Sequence, residues 1–117
     1  MLHLSPAIRY YLYTSHTDMR KGFDSLAGIV SSQMALDALS GAMFIFINKR
    51  RNQVKMLLWE GDGLSLYYKR LEKGTYERPV CNETATSMAL TYQQLQFILQ
   101  GVALQKIHYR KRYQKNM

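Results

Sequence analysis

The spacing of hydrophobic and polar positions predicts a strand followed by a helix in the first third of the chain. Residues 10–14 are mostly aromatic, which is typical of a short strand. The hydrophobic period changes after the polar residues 15–18, and a first helix is predicted with Asp18 or Asp24 as its N-cap. The apolar residues at helical spacing are Phe23, Leu26, Ala27, Val30 and Met34.

Three further strand patterns follow, over residues 43–48, 53–60 and 64–71. The sequence KRRN at residues 49–52 separates the first two, and Gly-Asp-Gly at residues 61–63 separates the second from the third. Short polar segments between apolar runs are typical of antiparallel hairpins. The three strands are therefore predicted to form a β-meander.

The lengths of these turns predict which side chains share a face of the sheet. A four-residue KRRN loop places Asn48 opposite Gln53. A three-residue loop at residues 61–63 is favoured, because a two-residue Asp-Gly turn would place Lys69 opposite Met56 on the apolar face. The apolar face then holds Met43, Ile45, Ile47, Val54, Met56, Leu58, Leu66 and Tyr68. The other face mixes aromatic, aliphatic and basic side chains: Phe44, Phe46, Lys55, Leu57, Trp59, Tyr67 and Lys69.

The mixed face has two interpretations. Its aromatic residues can pack beneath a helix while the lysine stems extend to water, which is the common outcome in small domains. Alternatively, the face can bind a single-stranded nucleic acid, with Phe46, Trp59 and Tyr67 as stacking residues.

A second helix is predicted near the end of the chain. Thr91 and Gln94 have the spacing of a capping box, and Gly101 is a suitable C-cap. The residues between them place Leu95, Ile98 and Leu99 on one apolar stripe.

These elements predict an α+β fold. We expect one domain over residues 1–105, with an antiparallel β-meander sheet of four to five strands and two helices packed on one face. Residues 106–117 carry several cations and no apolar face, so a flexible basic C-terminal tail is predicted there.

The net charge of the chain indicates that its partner is acidic. The chain has 16 Lys and Arg residues against 8 Asp and Glu, a formal net charge of +8. Such an excess attracts nucleic acids, anionic membranes and acidic protein surfaces, and it does not choose among them.

Catalytic and cofactor motifs are not recognisable. The eight carboxylates largely have structural explanations as caps and turn residues, and the three histidines and the single Cys81 are too scattered to predict zinc. No glycine-rich phosphate-binding motif occurs. We predict no enzymatic activity, no metal and no cofactor.

The expected location is the cytoplasm. A single cysteine excludes an internal disulfide and fits a reducing compartment. The N-terminal residues lack the pattern of a signal peptide, and no apolar run has the length of a membrane span. A membrane partner is therefore not expected.

Four blocks of sequence carry a resemblance to a known family, and the shortest is LSG at residues 39–41. The three longer blocks are TDMRKGFDSL at residues 17–26, FINKRRNQVKMLLWEGDGLSLYYKRLEKGTY at residues 46–76, and LTYQQL at residues 90–95. In this order they resemble the Orf2-like TnpB accessory proteins of bacterial insertion sequences of the sixty-six family. The resemblance implies a role in DNA transposition beside a larger transposase and another small protein of the same element, without catalytic activity of its own.

The resulting prediction is a non-catalytic accessory protein that binds element DNA, the transposase or both through a basic surface. A protein-only adaptor between transposase subunits and a small metal-dependent nuclease are the alternatives, and the oligomeric state is left open. The predicted binding residues are Arg20, Lys21, Lys49, Arg50, Arg51, Lys55, Lys69, Arg70, Arg110, Lys111 and Arg112.

Overall fold

The computed structural model describes residues 4–80 and 84–101, and this part of the chain contains five strands and two helices. The predicted tail, with Arg110, Lys111 and Arg112, lies outside the described residues. No helix in the described ranges is long and apolar enough to cross a membrane. The elements in chain order are β1 (Tyr10–Tyr13), α1 (Phe23–Ser32), β2 (Met43–Ile47), β3 (Gln53–Trp59), β4 (Leu64–Arg70), β5 (Ser87–Leu90) and α2 (Tyr92–Gln100).

The five strands form one sheet in the order β4-β3-β2-β1-β5. The predicted α+β class is confirmed, and β2, β3 and β4 form the predicted antiparallel meander. However, β1 pairs with β2 in parallel, so the sheet is mixed and not strictly a meander. Two parallel neighbours need a long crossover connection, and the chain between β1 and β2 supplies one that contains α1.

The two helices lie on opposite faces of the sheet, so the predicted placement of both on one face is wrong. On one face, Leu26 and Val30 of α1 pack in the same buried cluster as Phe44 of β2. On the other face, Leu95 and Ile98 of α2 belong to a second buried cluster. The reason lies in β2, whose five residues are all apolar and all buried, so that both faces of the strand need a cover.

The register between β2 and β3 is the predicted one, and the register between β3 and β4 is not. Trp59 pairs with Leu64, and the turn between them is closed by the Glu60 amide, which donates to the Gly63 carbonyl at 2.9 Å. Gly61 is the first central residue of this two-residue turn and has a φ of 95°, which glycine adopts without strain.

This shift of one residue exchanges the two faces of β4, because successive side chains of a strand point to opposite sides. Tyr67 and Lys69 lie on the face covered by α2, where Tyr67 packs against the core and Lys69 pairs with Val54. Tyr68 lies on the other face, opposite Lys55.

The two helix starts differ in how well local sequence predicts them. Neither Asp18 nor Asp24 caps α1: the N-cap is Gly22, which has no side chain to offer, and Asp24 lies in the first turn. The capping box of α2 is confirmed, since the Thr91 hydroxyl accepts from the Gln94 amide at 3.0 Å and the Gln94 side chain accepts from the Thr91 amide at 2.8 Å.

The capping box generates a prediction about stability. Thr91→Ala removes the acceptor of the Gln94 amide, and we expect the free energy of unfolding to fall by about 1 kcal/mol in urea denaturation. Gln93→Ala, an exposed first-turn change that leaves the box intact, is the control and should alter stability by less than about 0.5 kcal/mol. Equal effects of the two substitutions would contradict the assigned role.

Candidate nucleic-acid interface

The KRRN loop is shaped by the side chain of the residue that precedes it. The Asn48 carbonyl oxygen Oδ1 accepts from the backbone amides of Asn52 at 3.0 Å and Gln53 at 2.9 Å. Its amide Nδ2 donates to the Asn52 side chain at 2.8 Å. This bonding closes the loop on itself and leaves Lys49 and Arg50 exposed at its tip.

Arg51 belongs to the loop but serves a different purpose. It has a φ of 59°, in the left-handed region that reverses the chain direction. Its carbonyl accepts from the Tyr76 amide at 2.6 Å, and the neighbouring Asn52 carbonyl accepts from the Leu71 amide at 2.7 Å. The segment after β4 therefore holds the backbone of the loop at Arg51 and Asn52, whereas Lys49 and Arg50 remain exposed.

The turn at residues 16–21 docks beside the loop. The Thr17 amide donates to the carbonyl of Ile47, the last residue of β2, at 2.9 Å. Within the turn, Asp18 accepts from the Arg20 amide through Oδ1 at 2.9 Å and from the Lys21 amide through its backbone carbonyl at 3.1 Å. The turn and the loop thus meet at one end of β2.

Asp18 also holds the Arg20 side chain. The Arg20 Nη2 atom lies 2.6 Å from Asp18 Oδ2, and Nε donates to both carboxylate oxygens. These bonds lower the pKa of Asp18 from 3.8 to about 2 and raise the pKa of Arg20. The Arg20 side chain nevertheless remains 90% exposed, so it can contact a partner.

Lys55 is a buried cation under this surface. It is only 7% exposed, and its Nζ donates to the Lys21 carbonyl at 2.8 Å. The same Nζ lies 4.6 Å from the centroid of the Tyr68 ring. Lys55 takes no part in the Asp18–Arg20 and Arg70–Glu72 ion pairs. Its positive charge therefore adds to the potential of the surface above it, and its hydrogen bond fixes the turn that carries Arg20 and Lys21.

The turn and the loop border an open cavity of about 720 Å³, which we name the basic hollow. It is lined by residues 16–21, residues 48–50, Gln53 and Tyr68. Four cations and one carboxylate, Asp18, give the lining a formal net charge of +3. The cations are Arg20, Lys21, Lys49 and Arg50.

A second cavity, of about 630 Å³, lies between the N-terminal segment, β5 and the start of α2. Its lining contains one cation, Arg9, together with Tyr10, Tyr11 and Tyr92. The basic hollow is therefore the better anion site of the two. Within the described ranges, no three His, Cys, Asp or Glu side chains lie close enough to hold a metal ion.

The remaining predicted cations of the described chain do not line the hollow. Lys69 is on the opposite face of the sheet, and Arg51 is fastened behind the loop. Arg70 shares the face of Gln53 but pairs with Glu72 at 3.3 Å. The predicted set of cations therefore does not form a single surface.

None of the three predicted stacking residues reaches the hollow. Phe46 is fully buried beneath α1, so its prediction as a stacking residue is wrong. Trp59 is six residues from Gln53 along β3, a separation of about 20 Å. Tyr67 packs on the α2 face.

Tyr68 is the aromatic residue that lines the hollow, and it is not among the predicted stacking residues. The miss follows directly from the β3–β4 register, because a shift of one residue exchanged Tyr67 and Tyr68. The signal that could have found it is Gly61, which suits the first central position of a two-residue turn.

The Asp18–Arg20 pair generates a prediction about pH. Because the pKa of Asp18 is lower in the folded chain, the pair stabilises the fold above about pH 3.8, and this contribution is lost as the pH falls towards about 2. NMR titration of the Asp18 carboxyl carbon should give a midpoint near 2. Arg20→Gln should move it back towards 3.8, whereas Arg70→Gln, which breaks the exposed pair with Glu72, should not. An Asp18 midpoint unaffected by Arg20→Gln would refute the pairing.

Comparisons with known proteins support the family resemblance that the sequence blocks carry. A family model described as "IS66 Orf2 like protein" matches residues 8–109. Two proteins of Sinorhizobium fredii (strain NBRC 101917 / NGR234) are similar to the chain. Uncharacterized protein y4hO is 34% identical over 102 residues, 87% of each chain, and uncharacterized protein y4jC is 30% identical over 89 residues, 76% of each chain. No solved structure is significantly similar. The chain therefore belongs to the IS66 Orf2-like family, whose members are accessory proteins of transposition.

Proposed function

We propose that this protein binds the DNA of its insertion sequence through the basic hollow and acts as a non-catalytic partner of the transposase. The observation that carries the proposal is the convergence of two cationic segments on one cavity. Residues 16–21 and 48–50 are far apart in sequence, yet the amide of Thr17 and the start of the loop meet at Ile47.

The electrostatics of the hollow favour a phosphate polymer. Lys21, Lys49 and Arg50 are exposed, and none of them takes part in an ion pair among the described residues. Lysine and arginine side chains of this kind neutralise phosphates and release the counterions condensed on DNA, which supplies most of the affinity of non-specific binding. The formal charge of +8 also steers the protein towards DNA over longer distances.

The carboxylates of the described chain support a non-catalytic role, because several already have structural partners. Asp18 holds Arg20, and Glu72 pairs with Arg70. Glu60 accepts from the Ser65 hydroxyl at 2.6 Å, and Asp37 accepts from the Leu39 amide at 2.9 Å. Chemistry at the phosphodiester bond is then left to the transposase, and this protein holds the DNA for it.

The proposal predicts a salt dependence that is localised to the hollow. Lys21→Ala combined with Lys49→Ala removes two phosphate contacts, so the slope of log affinity against log salt should become shallower by about 1.4 for a single strand and about 1.8 for a duplex. Fluorescence anisotropy across a salt series with terminal inverted-repeat DNA measures both values. Urea denaturation of the variants would verify that they remain folded.

The matched control removes the same two charges elsewhere. Lys69→Ala combined with Lys73→Ala changes two exposed lysines that do not line the hollow, and it should leave the slope nearly unchanged. Equal losses in both double variants would show that net charge matters and the hollow does not. No DNA binding at low salt, together with nuclease-resistant co-purification with the transposase, would overturn the proposal in favour of the protein-only adaptor.

A further inference from the structure

Tyr68 is an unusual residue for the lining of a cationic cavity. It lies on β4, at the edge of the sheet, and 52% of it is exposed. It lines the basic hollow together with Lys49 and Arg50. Cations are sufficient to bind phosphates. An exposed aromatic ring beside them adds a surface on which a base can stack.

The ring is held in place from two directions. Its hydroxyl donates to the Gln53 side-chain oxygen, and the Lys55 ammonium lies against one face of the ring, 4.6 Å from its centroid. Lys55 is itself buried and anchored on the Lys21 carbonyl. Because the ammonium covers one face of the ring and 52% of Tyr68 is exposed, the opposite face is the one available to a ligand. A ring fixed in this way loses little conformational freedom when a ligand stacks on it.

Duplex and single-stranded DNA differ in what they can present to such a site. In a duplex, the bases are stacked on their neighbours and only phosphates and groove edges are accessible. An unpaired base can turn its flat face to an aromatic ring, and every base has such a face. The hollow contains Tyr68 among its lining residues, and it therefore offers an aromatic contact that an unpaired base can use and a stacked base pair cannot.

We infer that the basic hollow prefers unpaired DNA, with a base stacked on the open face of Tyr68 and the neighbouring phosphates bound by Lys21, Lys49 and Arg50. This inference rests on the proposed function and names the form of DNA that the site takes.

The first test compares two forms of one probe. An oligothymidylate of about 16 nucleotides and its duplex with oligoadenylate are titrated by fluorescence anisotropy at the same salt concentration. The wild-type protein should bind the single strand at least about tenfold more tightly, given the usual strength of base–aromatic stacking. Equal affinity, or a preference for the duplex, overturns the inference while leaving the proposed function in place. Binding of neither probe overturns both.

The second test isolates the ring. Tyr68→Leu keeps apolar volume over Lys55 but removes the aromatic face, so it should weaken single-strand binding about tenfold and change duplex binding less than about twofold. Tyr68→Trp and Tyr68→Phe should retain the preference. Phe23→Leu, at an exposed aromatic outside the hollow, is the matched control and should have no effect. An equal loss for both probes in Tyr68→Leu would overturn the stacking role.

A spectroscopic signal separates stacking from a general loss of affinity. A single 2-aminopurine in the oligothymidylate should be quenched when saturated with wild-type protein, because its emission falls when it stacks on an aromatic ring. At saturation, the Tyr68→Leu complex should remain brighter. Quenching that is identical in the two complexes would contradict the inference, whatever the affinities.

Discussion

The burial of β2 on both faces is the constraint on which the rest of the structure depends. A strand of five apolar residues needs a cover on each side, and α1 and α2 provide the two covers. Its two edges are filled by β1 and β3. Only the end of the strand is then left for polar contacts, and there the Ile47 carbonyl receives the amide of Thr17 while Asn48 begins the KRRN loop. The cationic cavity is thus placed at the end of the most buried strand in the sheet.

Lys55 joins this core to the surface. Lys55 is a buried residue of β3. Its ammonium donates to the Lys21 carbonyl and lies against the Tyr68 ring. A buried charge costs free energy unless polar groups surround it, and here those groups are parts of the site itself. The rigidity of the cavity and the solvation of Lys55 therefore depend on the same contacts.

Two local signals in the sequence predicted local structure correctly. The capping box of α2 and the KRRN register both depend on residues a few positions apart, and both are confirmed. The β3–β4 register failed because Gly61-Asp62-Gly63 allows turns of several lengths, and one residue decides which face Tyr68 occupies. The helix placement failed because it depends on the crossover between β1 and β2. The uninterrupted apolar run of β2 was the available sign that both faces are covered.

The cations of β4 that lie outside the cavity have a consequence for self-association. β4 is a seven-residue strand at the sheet edge, and its unpaired backbone groups can pair with a strand of another chain. Lys69 and Arg70 are consecutive and exposed, so they place a charged side chain on each side of the strand end, and Arg70 pairs there with Glu72. Charged side chains, lysine above all, disfavour strand pairing at an exposed edge, so these two residues oppose aggregation through β4.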